Sequence, residues 1–228
     1  MHRSRSPYAS DHPSINSYQT RFLRPSIART FATRHIVTAL TSFLLLAFPA
    51  RAQATRSTVF NLDPSRSTIN FALDTTLHTV EGTFKLKNGQ VSFDTATGKA
   101  TGQITADATS ADTGNKSRDK KMHQEILESQ QYPEIVFIPQ QVKGSVNPQG
   151  VSAVELTGVL RIHGQDHEST VPLSVQPQPG GAIQADAKIS VPYVKWGLKS
   201  ASSFLLRASD TVEVEIHVTG QLVSAAQH

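Results

Sequence analysis

Val212-Glu213-Val214-Glu215-Ile216-His217-Val218 alternates apolar and polar side chains without a break, and that period of two decides the fold class. Successive side chains of a strand point to opposite faces, so strict alternation describes a strand with one face buried and the other wet. Working outward, the pattern recurs in Thr68-Ile69-Asn70-Phe71-Ala72-Leu73 and again at 80–86, 91–93, 103–109, 136–138, 154–162, 171–175 and 183–191. This predicts about nine or ten strands. Between them stand turn-formers: Lys87-Asn88-Gly89, Ala96-Thr97-Gly98, Asn147-Pro148-Gln149-Gly150, His163-Gly164, and residues 177–181. Connections this short pair consecutive strands antiparallel, because a parallel crossover takes a dozen or more residues. The expected fold is one all-β domain, an antiparallel barrel or sandwich.

One stretch breaks the period. Residues 117–130 place Met122, Ile126 and Gln130 four apart with polar residues between, and Tyr132-Pro133 closes the segment, as in a short amphipathic helix. Among strands, such a helix suits a lid over one barrel end. Lys116, Arg118, Lys120 and Lys121 crowd its start, where the helix dipole is already positive and carboxylates are preferred. Two readings stand: a solvated basic face eased by Asp119, or a receptor for an anionic headgroup.

The chain has 228 residues, no cysteine and a formal net charge of +4. Without sulfur there is no disulfide framework, thiolate metal site or thiol nucleophile. The positive charge is confined to one segment. Residues 1–52 hold seven Lys/Arg against Asp11 alone, whereas residues 53–228 hold fifteen Lys/Arg against seventeen Asp/Glu. The domain is therefore mildly acidic and lacks the electrostatic footprint of a nucleic-acid binder. Residues 1–52 read as a basic leader and signal peptide. An apolar run at 36–50 ends in Ala50-Arg51-Ala52, a small-x-small cleavage tripeptide. Retention as an anchor is the competing reading, but spanning takes about 20 apolar residues and this run is shorter. The expected organisation is a leader at 1–52, a short tail at 53–57, a barrel domain at 58–222 and a C-terminal tail at 223–228, with the mature protein in the periplasm or secreted.

Residues fit for chemistry are sparse. His163, Asp166, His167 and Glu168 resemble a metal cluster, but Gly164 and the flanking strands favour a polar hairpin turn. Gly114-Asn115-Lys116-Ser117 fails as a phosphate loop because Lys does not directly follow Gly. His78 reads as a general base, a pocket polar group or a structural residue. Trp196, the single tryptophan, reads either as a stacking surface for a ligand or as a core aromatic at a barrel end. No motif calls for a metal or cofactor.

The order of five motifs resembles the YceI-like family, the polyisoprenoid-binding, lipocalin-like proteins of bacteria. Ser67-Thr68-Ile69-Asn70-Phe71 is followed by His78 and Val80-Glu81-Gly82-Thr83-Phe84. Arg118-Asp119 then opens the helical segment, and Tyr132-Pro133-Glu134-Ile135-Val136-Phe137 follows it. Gly158-Val159-Leu160-Arg161-Ile162-His163-Gly164 and the strand at 212–218 complete the series. The resemblance implies an elongated lipocalin-like barrel in the periplasm, holding an amphiphile with a long isoprenoid or acyl tail. On strand parity its wall includes Phe71, Leu73, Phe84, Ile104, Phe137, Leu160, Leu173 and Ile189, with Trp196 at one end. Ala106, Ala108, Ala185 and Ala187 leave room for a ligand or accommodate barrel taper. The headgroup candidates are Lys116, Arg118, Lys120, Lys121 and His78.

The leading expectation is a non-enzymatic carrier or store for a polyprenyl lipid or quinone, making transient contact with a membrane surface. A structural or stress-response module with a filled interior and, more remotely, a secreted hydrolase using His78 or His163 are the alternatives. The oligomeric state is open, a dimer included.

Overall fold

Among the described residues there are nine strands, with the stretches at 80–86 and 91–93 merged into one and a further strand at the start: β1 (Ser57–Leu62), β2 (Thr68–Leu73), β3 (Val80–Asp94), β4 (Ala100–Asp112), β5 (Glu134–Lys143), β6 (Ser152–Ile162), β7 (Gln165–Pro177), β8 (Ala182–Val191) and β9 (Val212–Ser224). The computed structural model describes residues 57–224. The leader at 1–52 and the tail residues 53–56 and 225–228 lie outside the described residues. Consecutive strands from β2 to β8 pair antiparallel, apart from a change of neighbour at β1 and β2, and a β3–β4 ladder closes the sheet on itself.

β1 and β2 share one place in the wall. Both lie between β3 and β9, with β1 against 90–94 and 220–224 and β2 against 80–84 and 213–217. The break between them is a single 3-10 turn, Pro64–Arg66, capped by Asp63, whose Oδ1 accepts from the Ser65 amide at 2.9 Å. Nine strands therefore make an eight-stave barrel closed on itself, each stave having a neighbour on both sides along all or part of its length. Its longest strand, β3, has 15 residues, or about 50 Å at 3.3 Å per residue, so the barrel is elongated.

The expected turn at Lys87-Asn88-Gly89 does not form. β3 runs through it, and the ladder to β4 jumps between Leu86 and Asn88, leaving Lys87 as a bulge. Leu62 of β1 packs closely over Gly89, where an added Cβ would stand 3.0 Å from Leu62 Cδ2 and crowd it. The other expected turns are present. His163 and Gly164, with φ of 52° and 72°, form the two-residue β6–β7 turn whose positive dihedrals match the strand twist.

The helix is shorter than its periodicity predicts. Asn115 caps α1 (Lys116–Lys121), its side chain accepting from the amides of Ser117 and Arg118 at 3.1 Å each. A π-helical turn, Met122–Ile126, follows. Glu128 at φ 46° then stops the helix. The stop is fixed by His123, whose ring nitrogens meet Ser129 Oγ and the Ala111 carbonyl, both at 2.9 Å.

The strand directions give the barrel two unlike ends. The connections at 95–99, 144–151 and 178–181 form one rim. Those at 74–79, 113–133, 163–164 and 192–211 form the other, and they cap it. There Ile162, Val191, Tyr193 and Leu198 are buried, with Leu73, Ile126, Leu127 and Trp196 packed against them. Tyr193 ties this plug together, donating to the Ser209 carbonyl and accepting from the Ala201 amide, each at 3.0 Å.

Candidate functional site

Inward-facing residues of all eight staves surround an apolar cavity of about 500 Å³, within the range of small-molecule sites. At the uncapped rim its lining includes Asp94, Thr95, Gly98, Gly144, Ser145 and Val146, and it runs inward as far as Leu160 and Ile189. Almost every interior side chain on it is aliphatic or aromatic. Among the described residues, Ser169 is the one hydroxyl set deep in the lining. Asp94 at the rim is committed to its own turn. The amides of Thr97 and Ala96 donate to its carboxylate at 2.9 and 2.8 Å, holding its pKa below the usual carboxylate range.

Of the wall residues expected from parity, Ile104, Phe137, Leu160, Leu173 and Ile189 line this cavity. Phe71, Leu73 and Phe84 share the inward parity of Ile69 but do not line it. The rings of Phe71 and Phe84 meet each other at 5.1 Å, and Leu73 belongs to the end plug. Trp196 is also in the plug, stacked on His167 with ring centroids 4.3 Å apart and planes 6° apart. Ala185 and Ala187 line the cavity, while Ala106 and Ala108 are buried without lining it.

Leu86, Val91, Phe93 and Val142, not named among the expected wall residues, also line the cavity. The bulge at Lys87 exchanges the faces of β3, so Leu86 points inward and so do Val91 and Phe93. A second register shift, between Pro139 and Gln141, does the same in β5 and turns Val142 inward after Phe137. A period-two count carried across either bulge assigns the wrong face.

The expected headgroup residues sit elsewhere. Lys116, Arg118, Lys120 and Lys121 belong to the α1 connection and His78 to the β2–β3 connection, both at the capped end, and none of them lines the cavity. Arg118 is engaged in its own loop: Nε donates to Thr113 Oγ1 at 2.8 Å and Nη2 to the Thr113 carbonyl at 2.9 Å. Asp119 completes the clamp, accepting from the Thr113 amide and hydroxyl at 3.0 and 2.6 Å. The Arg118-Asp119 pair thus fastens the end of β4 to the helix.

The His163, Asp166, His167, Glu168 cluster is dispersed. Asp166 and His167 are neighbours on β7 and so face opposite sides of the wall. Asp166 holds Arg161 through two bonds of 2.6 and 2.9 Å on the outer face. His163 meets Glu128 at 3.1 Å and the Tyr132 ring at 4.3 Å.

An eight-stave antiparallel wall around an apolar cavity lined from one rim defines a lipocalin-like barrel. The profile of the YceI-like domain matches residues 60–220, and the chain belongs to that family. Two solved structures share the fold. BcnA of Burkholderia cenocepacia aligns with a TM-score of 0.59 at 22% identity, over 69% of this chain and 98% of its own. A polyisoprenoid binding domain from Saccharophagus degradans, implicated in plant cell wall breakdown, aligns with a TM-score of 0.57 at 20% identity, over 71% of this chain and 97% of its own. No curated protein matches the chain.

Proposed function

We propose that this protein is a secreted, non-catalytic carrier or store for an amphiphile with a long isoprenoid tail, a polyprenyl lipid or a quinone. The observation that carries the reading is the cavity: about 500 Å³ walled by apolar side chains inside a closed barrel. Each tail methylene moved from water into such a wall contributes about 0.8 kcal/mol, so affinity needs no catalytic group. A module filled by its own side chains would not leave this space. Membership of the YceI-like family and the polyisoprenoid-binding neighbour from Saccharophagus degradans add support. The leader at 1–52 supports export to the periplasm.

The test is native mass spectrometry of the full chain, expressed with its own leader and purified without detergent from a host that makes quinones and polyprenols. The expected result is a protein beginning at Gln53 and carrying an extractable adduct whose fragments repeat every five carbons. An empty protein that also takes up no added geranylgeraniol overturns the carrier reading. A chain retaining residues 36–50 overturns the cleavage reading.

A further inference from the structure

β7 and β8 pair along only part of their length. Their ladder runs from Pro177 opposite Ile183 to Leu173 opposite Ala187 and stops there. Beyond it, residues 165–172 of β7 pair only with β6, and residues 188–191 of β8 pair only with β9. The next residue along β7 is Pro172, which has no amide hydrogen to continue the ladder. The wall is split from there toward the capped end.

A depression marks the split on the barrel wall. It holds a space of about 360 Å³ lined by outward-facing Thr170, Pro172, Lys188 and Ser190 together with inward-facing Ser169, Val171 and Ile189. The last three also line the central cavity, so the two spaces share a boundary. The Trp196 indole stands at the split, held by its stack on His167. His167 Nε2 is buried with no hydrogen-bond partner, an arrangement that is costly unless something polar comes to meet it.

We propose that the β7–β8 split is a second, lateral opening of the cavity, with Trp196 as its door, through which an isoprenoid-type amphiphile passes side-on. Displacing the indole uncovers His167 Nε2 beside Ser169, and these two meet the hydroxyl or carbonyl of the passing ligand. The tail then slides between Val171 and Ile189 into the apolar interior. A lateral opening avoids threading a long tail end-on through the rim. This inference rests on the carrier reading above.

The chain has no cysteine, so two introduced thiols are unique. Thr170→Cys and Ser190→Cys flank the split, and a short cleavable bis-maleimide would staple it. A second pair, Gln176→Cys with Gln184→Cys, lies where the strands are already laddered and serves as the control. The probe is geranylgeranyl anthranilate, whose fluorescence rises on leaving water, followed by stopped flow. Stapling the split is expected to slow uptake and release about tenfold, as for a blocked lid, with recovery when the linker is cleaved. The control staple leaves both rates unchanged, and Trp196→Ala speeds both. Uptake by the unstapled protein that stapling and Trp196→Ala leave unaltered overturns the lateral opening and assigns traffic to the rim. No uptake even by the unstapled protein overturns the carrier reading itself.

Discussion

The Phe71 ring lies over the Cα of Gly82 on the neighbouring strand, filling the place a side chain at position 82 would need. The backbone carbonyl of Asp112 closes the same space at 2.7 Å. Gly158 is similarly confined, by the Ile138 carbonyl and, at 2.9 Å, by Phe137 Cζ. Gly82→Val and Gly158→Val should each cost about 2 kcal/mol of stability through overpacking. That corresponds to a fall in Tm of about 4–8 °C for a domain of this size. Gly150→Ala, which meets only Asn147 Nδ2 at 3.6 Å, is the control and should leave Tm nearly unchanged. Calorimetry of the three variants checks this.

Ala187 lines the cavity between Leu173 and Ile216, which it opposes on β7 and β9. Ala187→Leu fills space that a ligand tail would occupy. Displacing about three methylenes should weaken geranylgeraniol binding by about 2 kcal/mol, roughly thirtyfold, with Tm unchanged or raised. Titration of both proteins with the same fluorescent isoprenoid reads the ratio. Equal affinities would place the ligand outside this part of the cavity.

The basic start of α1, expected to receive a headgroup, lies apart from the cavity. Lys116, Lys120 and Lys121 sit at the capped end, and neither the cavity nor the β7–β8 split includes them in its lining. Replacing all three by Gln should leave the affinities for a diphosphate-headed and a neutral-headed isoprenoid within about twofold of the unaltered protein, the scale of an exposed charge. Selective loss of the diphosphate ligand in equilibrium titrations would restore these lysines to the site.

Acid should destabilise the barrel through its turns. The Thr97 and Ala96 amides depress the pKa of Asp94, and the Ser65 hydroxyl and amide depress that of Asp63. A carboxylate with a depressed folded pKa contributes stability above its unfolded value, about 3.9, and loses it as pH falls through the folded value. Urea midpoints should therefore hold level from pH 7 to about pH 5 and fall below about pH 4. Asp94→Asn should lower the midpoint at pH 7 and converge on the unaltered protein near pH 2. A constant difference across the range would mean the Asp94 charge does not contribute.

The strands were legible because alternation is local: each apolar residue of the 212–218 stretch is two residues from the next, and nothing distant is needed to read it. The His163-Gly164 turn was legible for the same reason. The helix start was visible in its apolar spacing, but its stop was not, because His123, which holds Ser129 just past Glu128, is itself anchored on the Ala111 carbonyl of β4. Five of the nine expected wall residues reach the cavity. Phe71, Leu73 and Phe84 share the inward face, but Leu73 is taken up by the end plug, as is Trp196 from the 192–211 connection, and the Phe71 and Phe84 rings meet each other.

By itself the sequence determined an all-β antiparallel domain, because period and turn chemistry are properties of a few adjacent residues. Only the tertiary structure decided which faces line the cavity, since the bulges at Lys87 and near Pro139 depend on how neighbouring strands align and exchange inside for outside. It also decided which end is capped and where the wall is split. Those features arise from pairing between residues far apart in the chain, and Pro172 is the one local mark of where the β7–β8 ladder stops.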